Sequence, residues 1–351
     1  MNQSIYDLVT AANVVEYWLQ LNVNAQPYFG ETLFPSKRVV GIKLDWIKGA
    51  KNQPVGLRLA AYDTKAIRRD RQGIEEYQTK MPFFKESKYI DEDMRQKLNT
   101  LAGNSNNKEL VNRILREIFN DEIELIEAAA IKLERMRMEV LTNGTITLAE
   151  NGQAYEYDFG VPADQKMTAQ VSWSDPDADI VKEINDIKDA MKAKGVTITR
   201  AICNNETIKY LEKNKAIKNQ IYVLAGGSIA SINGARALSY LEDETGLTFF
   251  VYDNVYVDEQ GVAHKYIPDD TVVFIPDGVL GYTNMGTTPE ESDLMASGIA
   301  SVRVLNNGVA VTGYKTVDPV NVEVKVSMVG MPSFERANEV VILDTDATTS
   351  A

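Results

Sequence analysis

His264 and Cys203 are the chain's one histidine and one cysteine, so chemistry built on imidazole or thiolate has a single group of each to draw on. Metal ligation needs several convergent side chains, and neither residue has a second His or Cys near it in sequence. His264 stands beside a turn at Gly261 and reads as a surface residue. Cys203 closes the apolar run Ile198-Thr199-Arg200-Ala201-Ile202-Cys203 and reads as a small buried hydrophobe. Serine-based hydrolysis would have to use the same His264, and no G-x-S-x-G elbow presents a serine. An acidic α/β hydrolase is therefore a remote reading.

The carboxylates offer little more. Asp175, Asp177 and Asp179 alternate like the start of a calcium loop, but Ile180 stands where the sharp turn needs Gly and Asp186 where a bidentate Glu is usual. Asp177 and Asp179 suit the positive end of a following helix better. Glu242-Asp243-Glu244 and Glu290-Glu291 have the composition of acid–base pairs. Without a fixed aromatic or basic neighbour they read as solvated turns. The stretch from Gly226 to Gly234 has neither a P-loop lysine nor G-x-G-x-x-G spacing, and reads as a loop leading into a helix. No catalytic signature survives, so the chain is expected not to be an enzyme and to need no metal or cofactor.

The charge distribution says more than any motif. The chain carries a formal −13 over 351 residues, which argues against a protein whose main task is gripping phosphates. From Lys37 to Lys88, however, 13 Lys or Arg face 6 Asp or Glu, a local +7 that leaves −20 for the remainder. Arg68-Arg69-Asp70-Arg71 is its densest cluster. Such a segment is complementary to the rest of its own chain, as an arm lying on the acidic body of a neighbouring copy would be. A solvated basic loop is the plainer alternative.

The elements that must position these residues follow from periodicity. Tyr6–Leu21 has apolar residues at helical spacing and predicts a short amphipathic helix. Pro27 and Pro35 follow, so the start of the chain reads as an extended, docked arm. Residues 37 to 80 alternate weakly around Gly49, Pro54 and Gly56, a pattern suited to a long two-stranded excursion. An isolated ribbon of this kind is marginal in water and needs outside support. From Asn107 to Leu141 apolar residues recur every three or four positions with no Gly or Pro, although Glu122 interrupts the stripe, and Asn143-Gly144 supplies the stop. Thr145–Phe159 is a hairpin around Asn151-Gly152.

Beyond Trp173 helices and strands alternate. Helices are expected over 177–194, 206–213 and within 223–241, and strands over 196–203, 247–257 and 271–276. The end of the chain is strand-rich, over 317–329 and 339–343. With one cysteine no intramolecular disulfide can form, and stability must come from packing or assembly. Met1–Asp7 has no basic stretch followed by an apolar run, and no segment approaches the length of a membrane span, so neither a signal peptide nor a membrane partner is expected.

In this order the chain resembles the tailed-bacteriophage major capsid proteins of the lambda-like protein E family. The resemblance is carried by Tyr28-Phe29-Gly30-Glu31-Thr32-Leu33-Phe34-Pro35 in the arm, and by Trp173 with Asp175-Pro176 and Asp179-Ile180. Tyr266-Ile267-Pro268-Asp269-Asp270-Thr271-Val272 followed by Gly281 carries it further, as do Asp318-Pro319 through Ser327 and Pro332 to Val340-Val341. It covers nearly the whole chain and is thinnest from Asn204 to Leu238.

The resemblance implies an α+β fold of the tailed-phage capsid type. Its parts would be an N-terminal arm (1–36), an extended two-stranded loop (37–90), and a peripheral domain with spine helix and hairpin (91–170). An inserted α/β axial domain (171–312) and return strands of the peripheral domain (313–351) would follow. It implies self-assembly into pentamers and hexamers of an icosahedral shell around double-stranded DNA, with the DNA held by non-specific proximity alone. Scaffold, portal and decoration proteins would be the other partners, and the virion capsid the location, after synthesis in the bacterial cytoplasm. Inter-subunit contacts are expected at Trp46, Arg58, Arg68, Arg69 and Arg71. An encapsulin-like compartment, with enzyme cargo and no DNA, is the alternative within the same fold.

Overall fold

The computed structural model of the chain describes residues 10–21, 27–48, 75–90, 92–93, 96, 100, 108–224, 232–305, 308–318 and 321–346. They belong to two compact units, one drawn from Met1–Asp45, Gln78–Met136 and Tyr282–Ser333, the other from Trp46–Tyr77, Arg137–Gly281 and Phe334–Ala351.

The first unit is organised by the 11-residue strand Val322–Pro332. Val322, Val324 and Val326 are buried while Glu323 and Lys325 are half-buried, and from Ser327 onward both faces are covered. This strand pairs antiparallel with Phe83–Ile90, with Ala310–Lys315 and, at its far end, with Thr283–Met285. Ser36–Arg38 adds in parallel to Thr283–Met285 and Ser301–Val304 closes the other side, giving a six-stranded sheet. The amphipathic helix Ala11–Leu21 lies on Ser301–Val304 and Ala310–Lys315 and buries Ala11 and Val14. The arm expected from the two prolines is thus docked: a short helix Phe29–Leu33, then a sheet strand.

The long helix runs from Lys108 to Asn143, 36 residues or about 54 Å at 1.5 Å per residue. Its apolar stripe, Ile118, Ile126, Ala129, Leu133, Met136 and Val140, is buried. It ends where expected because Gly144 adopts φ +74° and returns its N–H to the Val140 carbonyl. A Cβ at Gly144 would come within 2.6 Å of Val161, so only glycine fits. The hairpin Thr145–Glu150 with Gln153–Asp158 follows. Both turn residues, Asn151 and Gly152, have positive φ, as a type I′ turn requires.

The second unit is built on a five-stranded mixed sheet, in the order Lys166–Thr168, Val341–Asp344, Thr271–Pro276, Ile198–Cys203 and Thr248–Val251. Helices Ile180–Ala193, Asn205–Lys213, Lys215–Leu224 and Gly234–Thr245 contribute to its core. That core gathers Trp173, Ile184, Met191, Leu211, Leu241, Phe274 and Leu343. Asp179 caps the first helix by accepting from the Lys182 N–H, so the helix starts at Ile180 and not at Asp177. The apolar run Thr271–Pro276 is the buried strand its composition predicts.

Asn204 is the joint of this unit. Fully buried, it caps Asn205–Lys213 by accepting from Glu206 and Thr207, while its amide nitrogen donates to the Ile267 and Pro268 carbonyls and to Asp269. Asn204→Ala removes the cap and leaves the buried Ile267 carbonyl without its donor, an expected cost of about 2–3 kcal/mol. A urea-unfolding midpoint equal to that of the parent would refute this reading.

The unit boundaries differ from the expected spans. A cut at 312 runs through a paired sheet, because Ser301–Val304 and Ala310–Lys315 hydrogen-bond to each other. The expected return segment 313–351 divides: Val322–Pro332 lies in the first unit, and Val341–Asp344 is inside the five-stranded sheet. Pairing between segments far apart in sequence decides this, and periodicity carries no trace of it.

Candidate assembly surfaces

The expected ribbon is present at its base, where Lys43–Lys48 and Glu75–Lys80 pair. The first strand alternates, with Lys43 and Asp45 exposed and Leu44 and Trp46 buried. Trp46 was expected between subunits, but it is 7% exposed and packs on Phe159 of its own chain, with ring centroids 5.5 Å apart. A large flat side chain on the inner face of a strand rooted in its own body serves as an anchor. Arg58, Arg68, Arg69 and Arg71 lie outside the described residues, as does most of the glycine-rich stretch from Gly226.

The arm is clamped by pairs that periodicity could not reveal. Arg38 meets both carboxylate oxygens of Glu291 at 2.6 Å and donates to the Gly286 and Gly308 carbonyls. Glu290 is 4% exposed and is held by Lys325 at 2.6 Å and by the Ser327 hydroxyl at 2.8 Å. Burial raises the Glu290 carboxyl, but hydrogen bonds from Lys325, its own backbone and Ser327 outweigh this and hold it below the usual carboxylate value. The Glu290-Glu291 pair, read as a solvated turn, is instead the receiving half of two ion pairs. Gly30 donates its N–H to the buried carboxylate of Glu134 on the long helix, at 2.8 Å.

The other candidate groups are structural. Asp175 accepts from the Asp177 N–H, Asp177 pairs with Lys215 at 2.7 Å, and Asp179 is the helix cap. Glu242 accepts from the Phe249 N–H. His264 is exposed on a short ribbon, 2.7 Å from Asp258. Backbone N–H groups, Val262 first, together with His264 hold the Asp258 carboxyl below its ordinary value. Cys203 is fully buried, which pushes its thiol up to about 12. Among the described residues no group of three or more His, Cys, Asp or Glu is placed to hold a metal ion. None of their helices is long and apolar enough to cross a membrane.

Glu122 is the carboxylate among several buried side chains that leave a polar atom unsatisfied. It lies 2% exposed on the inner side of the long helix, and its Oε2 has no hydrogen-bond partner. Burial pushes its carboxyl up to about 8, with Lys88 drawing it down and Asp121 raising it. Lys88 itself is engaged by Glu124 at 2.7 Å. The break that Glu122 makes in the apolar stripe was the sequence signal for this site.

The family whose pattern matches the chain is described as phage major capsid protein E, over residues 10–345. Among solved structures the chain is similar to a protein described as a capsid protein of an Escherichia coli CFT073 prophage. The two are 17% identical, with a TM-score of 0.58, over 94% of this chain and 98% of that one. It is also similar to a phage-related protein of Bordetella bronchiseptica RB50, 13% identical with a TM-score of 0.54, over 94% of this chain and 96% of the other. At these identities the likeness is one of fold. No curated protein sequence matches.

Proposed function

Because the chain belongs to the phage major capsid protein E family, we propose that many copies of it close into an icosahedral shell of pentamers and hexamers around double-stranded DNA. Its role in that shell is structural. The observation that carries this reading is the extent of the family match, which takes in both compact units from residue 10 to residue 345.

In the shell the five-stranded sheet and its helices form the axial part, grouped about the capsomer axes. The six-stranded sheet and the long helix form the peripheral part. The basic segment beyond the Trp46 anchor lies on an acidic neighbour. A net charge of −13 keeps the shell from adhering to packed polyanion. DNA is enclosed by proximity, and scaffold, portal and decoration proteins are the remaining partners. The finished protein resides in the virion capsid after synthesis in the bacterial cytoplasm.

The test is assembly itself. The purified chain, with its scaffold supplied if required, is expected to give closed particles tens of nanometres across by electron microscopy. Monomers that persist under every assembly condition would overturn the proposal, and enzyme cargo without DNA in particles from infected cells would favour the compartment alternative.

A further inference from the structure

The short ribbon Val255–Val257 with Ala263–Lys265 has an unusual polarity. Its register pairs Val255 with Lys265, Tyr256 with His264 and Val257 with Ala263. Side chains alternate between faces. One face carries Tyr256 and His264, stacked at 5.4 Å, and Tyr256 rests 5.0 Å from the buried ring of Tyr266. Tyr256 turns that face onto its own body, while His264 stays exposed. The other carries Val255 and Val257, 59% and 60% exposed, and Val262 at the turn is 52% exposed. Thr248–Val251, the outermost strand of the neighbouring sheet, adds Phe250 and Val251, both more than a third exposed. Valines turned outward on a two-stranded ribbon are the opposite of what a solvated hairpin selects. Lys265, opposite Val255 in the register, shares the valine face and pairs with Asp269 at 2.8 Å, but residues 253–270 are net acidic, with Asp253, Asp258, Glu259, Asp269 and Asp270 against that one lysine.

A second surface of the same unit has the matching character. Helix Lys215–Leu224 buries Ile217 and Ile221 and leaves Tyr222, Val223 and Leu224 between 50% and 75% exposed. Lys218 is exposed one turn before Tyr222, and Lys213 and Lys215 are exposed at the helix's start, where Lys215 pairs with Asp177. One face is apolar with an acidic rim, and the other is apolar with a basic rim. They use different residues of one chain, which is the requirement for a head-to-tail contact that repeats from copy to copy and can close into a ring.

We propose that the outward valine face of the ribbon docks on the Tyr222–Leu224 helix tip of a second copy, and that this contact links successive subunits around a capsomer. The inference rests on the shell reading and names the residues that would join its axial parts.

The chain suits a thiol-trapping test, since its one native cysteine is fully buried. Val257→Cys and Val223→Cys are introduced together into assembling protein and treated with a short bis-maleimide. A denaturing gel is expected to show a ladder that stops at five and six subunits. Either single variant should remain at the monomer. Val255→Ser combined with Val257→Ser, an exposed change that should leave the melting temperature intact, is expected to cut particle yield at least tenfold. Normal particles from the double-cysteine chain with no ladder, or with an intramolecular crosslink alone, would overturn the contact while leaving the shell reading intact. The same outcome would apply if the valine face bound a foreign protein. Failure of the parent chain to form particles would instead remove the shell reading on which the contact stands.

Discussion

Replacing residues 49–74 by a short Gly-Ser linker between Lys48 and Glu75 is expected to leave the subunit folded and to abolish particle formation. The excised segment carries Lys51, Arg58, Lys65, Arg68, Arg69 and Arg71 against Asp63 and Asp70, and holds most of the positive excess in a chain that is otherwise strongly acidic. Charge of that sign on a shell subunit is satisfied most readily by a neighbouring copy. The cut has to begin beyond Lys48. A deletion starting at Lys43 would also remove Leu44 and Trp46, buried at 1% and 7% exposure, and would confuse loss of assembly with loss of fold. Circular dichroism and the thermal midpoint should match the parent, while negative-stain images show no closed shells. Parental yields of shells from the shortened chain would dismiss the segment's proposed role.

The second large effect concerns Glu122. With its carboxyl raised to about 8 in the fold and near the ordinary glutamate value when unfolded, the group is protonated in the native helix at neutral pH. A raised folded value means that its stabilising contribution is complete below the unfolded value. It declines as pH climbs toward 8 and is gone above that. Glu122→Gln keeps the shape and cannot ionise. The variant is expected to match the parent near pH 4.5 and to exceed it by about 5 kcal/mol at pH 9, about three and a half pKa units at roughly 1.4 kcal/mol each. Urea unfolding of unassembled subunits at the two pH values measures the difference. Parallel pH profiles for parent and variant would show that the native carboxyl titrates normally.

How far the sequence carries the structure depends on the range over which each feature is decided. The long helix, expected from Asn107 to Leu141 and found from Lys108 to Asn143, is set by spacing within a few turns and by Gly144. The Asn151-Gly152 hairpin and the strand Thr271–Pro276 are equally local. Helix Lys215–Leu224 was not foreseen. It follows Asn205–Lys213 after Asn214 alone, and two short helices at that distance blur into one weak pattern. The ion pairs of the arm were out of reach for a different reason. Arg38 and Glu291 stand 253 positions apart, and nothing in either neighbourhood specifies the other. Trp46 shows the remaining ambiguity: an aromatic residue on an alternating strand reads the same whether it roots the strand at home or reaches a partner, and only its packing on Phe159 separates the two.

The position of the last strands in both sheets has a consequence for synthesis. Val322–Pro332 holds together three segments made earlier, and Val341–Asp344 lies between Lys166–Thr168 and Thr271–Pro276. A nascent chain still lacking everything after Lys315 has an interior gap in each sheet, and neither unit can close. Native subunits, and the surfaces by which they would join, therefore exist only once Val341–Asp344 has been made.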